Sequence, residues 1–202
     1  MNETAANYLH TPVKAVPQGR LGLWILIAGE LVIFGGLIAC YLLYRLRFPE
    51  WGLQAQHTNV FIGALNTFVL LFSSFCIVKA HEAANRREFN TMTKWMLTTI
   101  FCGLFFLVNK VIEYSQEIGH GYTLTSPELS STDPTGSLFW SFYYGMTGLH
   151  GLHVLAGMVA LTIIMISARK GKNVHRVELG GLYWHMVDII WIFLFPLLYL
   201  AR

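Results

Sequence analysis

Hydrophobic residues in this chain fall into five long runs separated by short polar stretches: Leu21–Tyr44, Val60–Ala80, Trp95–Ile118, Leu138–Ala168 and Gly181–Leu200. At a helical rise of about 1.5 Å per residue each run reaches at least about 30 Å, the thickness of a bilayer's hydrocarbon core. The fourth run is longer and must tilt or project. The pattern predicts an all-α, polytopic membrane protein of five transmembrane helices. Residues 1–20 form a cytoplasmic N-terminal segment and residues 21–202 the five-helix domain. The first 20 residues have no apolar core, so no cleavable signal peptide is expected ahead of the first span. The connections are short, and neither an internal repeat nor a low-complexity segment is visible.

The polar positions set the orientation. Lys14 and Arg20, then Lys79, Arg86, Arg87 and Lys94, then Arg169, Lys170, Lys172 and Arg176 all fall on one side of the membrane. Only Arg45, Arg47 and Arg202 fall on the other, and residues 119–136 carry no Lys or Arg. Because basic residues are retained on the cytoplasmic side, this asymmetry places the N-terminus in the cytoplasm and the C-terminus outside.

Within the runs, two seven-residue spacings stand out. Gly22, Gly29 and Gly36 give the first span one nearly flat seam, suited to close helix packing. Asn59, Asn66 and Ser73 give the second a polar stripe, read as an interhelical hydrogen-bond seam or, more sharply, as a hydrated path. The fourth run holds Thr147-Gly148-Leu149-His150-Gly151-Leu152-His153-Val154, with two imidazoles and two glycines at bilayer depth. Such groups must face other helices, a cavity or a partner, and the glycines let a neighbouring backbone come close.

Composition agrees with the pattern. Hydrophobic residues make up 54% and charged residues 12% of the 202, about half the charged share of soluble domains. A net charge of +3, scattered among loops, gives no nucleic-acid footprint. Cys40, Cys76 and Cys102 lie in three different runs without metal or disulfide spacing and are read as small packing residues.

The intramembrane ionisable groups carry the chemistry. Glu30 lies roughly 14 Å from the cytoplasmic end of the first span, where a bare carboxylate is costly, so it must be protonated, bonded or paired. The fourth span runs back toward the cytoplasm and brings His153 to the same depth, which predicts that Glu30 and His153 are neighbours. Lys110 and Glu113, three residues apart on one face, can neutralise each other, while snorkelling to the interface accounts for Lys110, Glu113 and Glu117 more simply. On the fifth span Asp188 can fix the tautomer of His185 or bond across to another helix.

Reactive alternatives fit less well. A bis-histidine haem needs imidazoles on facing helices. His150 and His153 share one helix, so a stand-alone b-type cytochrome would have to pair one of them with His185 and could hold one haem at most. No cluster of thiolates or imidazoles suits copper or zinc, no interrupted helices suggest a carrier, and no elbow or triad suggests a hydrolase.

Three segments carry a resemblance. Gly29-Glu30 with Phe34 and Gly35, the Thr147–Val154 segment, and Tyr183-Trp184-His185-Met186-Val187-Asp188-Ile189-Ile190-Trp191-Ile192-Phe193-Leu194-Phe195 together resemble subunit III of the haem–copper oxidases, as does the Glu113-Tyr114 pair. The resemblance runs from Leu21 to Arg202 and fits the short, five-helix bacterial form. It implies a non-catalytic core subunit of a respiratory cytochrome c oxidase in the bacterial inner membrane. Subunits I and II would hold the haems and copper, reduce oxygen to water and pump protons. This chain would bind no cofactor itself, pack directly against subunit I, contact subunit II and small subunits or a respiratory supercomplex, hold structural phospholipid in a cleft, and support proton uptake. Glu30 would be the family's buried carboxylate and His153 its imidazole neighbour, with Glu113, His150, His185 and Asp188 as supporting polar residues. A quinol oxidase subunit III or the related accessory protein of nitric oxide reductase is the alternative within the resemblance.

Overall fold

The computed structural model describes residues 18–123 and 135–200. The expected N-terminal segment therefore lies almost wholly outside the described residues, as do Lys14, Arg202 and most of the loop at residues 119–136. Among the described residues there is helix and turn but no strand. The helices are α1 (Gln18–Arg47), the short α2 (Trp51–Ala55), α3 (Val60–Asn85), α4 (Phe89–Gly119), α5 (Gly136–Arg169) and α6 (Arg176–Phe195), with a closing π-helical turn at Pro196–Leu200. Five of these are long and apolar enough to cross a membrane, and the chain is a multi-pass membrane protein.

The helices overrun the apolar runs at their polar ends. α4 begins at Phe89, six residues before Trp95, and α3 continues to Asn85. Backbone groups leaving the hydrocarbon still need partners, and a helix satisfies them internally. Each end has its own device. The Asn59 side chain accepts from the amide of Ile62 at the start of α3. Arg87 at φ 59° and Asn173 at φ 54° make the tight turns that reverse the chain after α3 and α5.

α6 is the centre of the bundle and α1 its margin: half of the most apolar stretch of α6 is buried, against 6% for α1. Trp184, Trp191 and Leu194 of α6 are fully buried against α3, α4 and α5. Glycines receive those indoles. The ring of Trp184 lies over Gly103 and Gly157, where an added Cβ would fall 2.8 Å and 3.0 Å from it. The polar stripe of α3 divides. Asn59 serves as a cap, whereas Asn66 accepts from Asn109 on α4 at 2.8 Å and the Ser73 hydroxyl accepts from the Trp184 indole at 2.8 Å.

Two expectations are corrected. Among the described residues Gly22, Gly29 and Gly36 meet no neighbour: an added Cβ at each finds no described atom within 4 Å. That seam lies on the outward face of a marginal helix, so flatness there is not used within the chain. Cys40 is exposed, unlike the buried Cys76 and Cys102, because α1 turns that face away from the bundle.

Candidate functional site

Counting residues along α1 and α5 brings Glu30 and His153 to one depth, and Glu30 Oε2 stands 2.9 Å from His153 Nε2. Their side chains keep 18% and 15% of their exposure, so the pair sits at the bundle's edge and not in its centre. Phe34, one turn above Glu30, meets the imidazole edge-on with centroids 5.3 Å apart. From α6 the Tyr183 hydroxyl reaches the carbonyl of His153 at 3.4 Å.

The other nitrogen of His153 is turned to the backbone. Nδ1 lies 2.8 Å from the Leu149 carbonyl oxygen, which can only accept, so Nδ1 carries hydrogen and Nε2 is the nitrogen that faces Glu30. A proton shared between Nε2 and Oε2 would leave the pair neutral overall, the form in which an acid at this depth costs least. Farther along the same two helices, Leu37 of α1 and Leu138, Ser141, Phe142, Gly145 and Met146 of α5 line an apolar recess of about 330 Å³.

Lys110, Glu113 and Glu117 do not snorkel. All three are buried, with Glu113 fully so. Lys110 Nζ donates to Glu113 Oε2 at 2.9 Å, to the Tyr199 hydroxyl at 2.8 Å and to the Tyr143 hydroxyl at 3.1 Å. Three donors thus find three acceptors. The Tyr143 hydroxyl in turn donates to Glu113 Oε1 at 2.8 Å, and the rings of Tyr114 and Tyr143 each lie 4.8 Å from the ammonium. Snorkelling fails because α5 and the π-helical turn close over this face of α4 with tyrosines, which supply polar atoms where a lipid-facing helix would have none.

The remaining expected residues separate. His150 is fully buried between the rings of Phe106 and Trp191, centroids 5.4 Å and 5.1 Å away, with neither nitrogen bonded to a protein group among the described residues. What comes close at its flanking glycines is a side chain and not a backbone: the Tyr114 hydroxyl lies 3.8 Å from a Cβ added at Gly148, and Leu107 Cδ2 3.7 Å from one added at Gly151. His185 and Asp188 both reach across to α3, where the Ser74 hydroxyl lies 2.9 Å from His185 Nδ1 and donates to Asp188 Oδ2. Sequence reading missed Ser74, Tyr143 and Tyr199. Ser74 follows Ser73 in the second run, and that doublet is the one signal that could have marked it.

Fold and site together define a polytopic helical membrane protein in which Glu30, Glu113 and Asp188 meet an imidazole, an ammonium and a hydroxyl inside the bundle. Among the described residues no group of three or more His, Cys, Asp or Glu side chains is placed to hold a metal ion. A family model described as Cytochrome c oxidase subunit III matches residues 2–201. The cytochrome c oxidase subunit 3 of Thermostichus vulcanus is 36% identical over 185 residues, covering 89% of this chain and 86% of that protein. Those of Alkalihalophilus pseudofirmus and Bacillus subtilis are 31% and 30% identical, over 94% and 98% of this chain and 91% and 94% of theirs. The chain belongs to the cytochrome c oxidase subunit III family, within the haem–copper oxidases, and is part of a multi-subunit oxidase complex.

Proposed function

We propose that this chain is the non-catalytic subunit III of a bacterial aa-type cytochrome c oxidase, lying in the inner membrane with its N-terminus in the cytoplasm. It packs on subunit I, holds phospholipid against its α1–α5 edge and supports proton uptake by the redox subunits. The observation that carries this reading is the Glu30–His153 contact. An acid and an imidazole meet at bilayer depth, at the margin of the bundle, beside an apolar recess of about 330 Å³. The relatives' shared name favours cytochrome c over quinol as the electron donor. The basic residues around the α3–α4 and α5–α6 turns support the orientation.

The test is turnover of the purified complex carrying Glu30→Ala. Initial oxygen consumption should stay near wild type, while the number of turnovers before inactivation and the retained phospholipid both fall. Unchanged lifetime and lipid content would remove the pair from this role.

A further inference from the structure

A second acid–imidazole site lies near the centre of the bundle, apart from the Glu30–His153 edge. Asp188 is 3% exposed and about 18 Å along α6 from Arg176. Its Oδ2 accepts from the Ser74 hydroxyl of α3, and its Oδ1 is buried without a partner. Neither oxygen meets a Lys or Arg among the described residues. A carboxylate so placed lacks the compensation that Glu113 receives from Lys110, so a proton or a water molecule must supply it.

A route to that acid is built into the register of two helices. On α3, Ser74, Ile77, Val78 and His81 recur at helical spacing, and α6 presents Glu178, Gly181, Leu182 and His185 to them. From Ile77 and Val78 to His81, and from Glu178 to His185, these residues line one recess of about 120 Å³. One end of it reaches the basic end of the bundle, where Glu178 pairs with Arg20. Its inner end is His185. His185 Nδ1 is on Ser74, while Nε2 has no protein hydrogen bond among the described residues and is the ring nitrogen left for the recess. Gly181 keeps the recess open, since no side chain stands at that turn of α6.

We infer that Ser74, His185 and Asp188 form a proton-holding site inside the bundle, filled from the basic side of the membrane through this recess. The heavy atoms suit two proton arrangements. In one, His185 Nδ1–H donates to Ser74 Oγ, and Ser74 O–H donates to an ionised Asp188. In the other, Asp188 O–H donates to Ser74 Oγ, Ser74 O–H donates to Nδ1, and the imidazole hydrogen is on Nε2. The first becomes the second when one proton from water binds Nε2, the Nδ1 hydrogen passes to Ser74, and the Ser74 hydrogen passes to Asp188. The imidazole is neutral at both ends, no ring rotation is needed, and the net change is one proton taken up at Asp188. The other titratable or charged groups facing this route are Glu178 on α6, His81 on α3, Cys102 on α4 and Arg20 on α1. The site stops at Asp188 Oδ1, so it stores a proton and does not conduct one across the membrane.

Infrared difference spectroscopy of the assembled complex between low and high pH tests this, in a Glu30→Gln background so that the edge pair is silent. A carboxylic acid C=O band should titrate reversibly, vanish in Asp188→Asn and move in Asp188→Glu. After a switch of the medium's pH, Ser74→Ala should slow its appearance about tenfold, the factor for one lost hydrogen bond. Ser74→Thr, which keeps the hydroxyl, should restore it. If Asp188→Asn does not assemble, the Ser74→Ala and Ser74→Thr rates still decide. A band indifferent to pH, or rates equal in Ser74→Ala and wild type, would overturn the inference.

Discussion

At the scale of single residues, the chain answers each intramembrane charge in a different way. Glu30 Oε2 stands 2.9 Å from His153 Nε2, and an amide in its place still has a donor and an acceptor to offer. Glu30→Gln is therefore expected to leave assembly intact, checked by the yield of this subunit in the purified complex. Lys110 is less forgiving. Its removal strands Glu113, which is fully buried, and breaking a buried pair on one side costs about 3–5 kcal/mol. Lys110→Met should deplete the folded subunit from membranes, and Lys110→Met combined with Glu113→Gln should recover much of it. Equal losses in both variants would show that the ammonium acts through its tyrosine contacts instead. The sequence made the first site legible and not the second. Opposed depths on antiparallel helices can be counted, so Glu30 and His153 could be matched from run boundaries. The environment of Lys110 depends on Tyr143 and Tyr199, 33 and 89 residues away, and i, i+3 spacing carries no sign of them.

At the scale of elements, glycines within the apolar runs have opposite fates. Gly103 receives Trp184, whose indole is pinned by its 2.8 Å bond to the Ser73 hydroxyl and cannot withdraw cheaply. Gly103→Ala should destabilise the α4–α6 contact by about 1–3 kcal/mol, the usual cost of overpacking, read as a lowered midpoint of thermal unfolding in detergent. Gly36→Ala meets no atom of the described residues within 4 Å and should leave that midpoint unchanged. A seven-residue repeat of glycines shows that a flat face exists, while which faces are filled is decided by the large side chains of other helices. The same reasoning explains why the five runs were read correctly but their ends were not. Hydropathy marks where hydrocarbon stops, whereas helices stop where a cap or a turn such as Arg87 at φ 59° ends them. The short α2 lies outside the five apolar runs and is too short for hydropathy to mark, yet its Trp51 is fully buried.

At the scale of the whole molecule, five spans place successive connections on alternate sides, and the basic ones lie together. Under the proposed orientation, a cysteine at His120 should react with a membrane-impermeant maleimide applied from outside to intact cells, and one at Lys172 only after permeabilisation. The reverse pattern would invert the topology and, with it, the side from which Asp188 is reached. α6 anchors the bundle while α1 leaves most of its surface outward, an uneven burial suited to a subunit of a larger membrane complex. A non-catalytic subunit III leaves the redox centres to its partner subunits. A tag on this chain should bring down larger subunits together with haem and copper, and the chain stripped of those subunits should be colourless. Haem absorbance that stays with the isolated chain would contradict it.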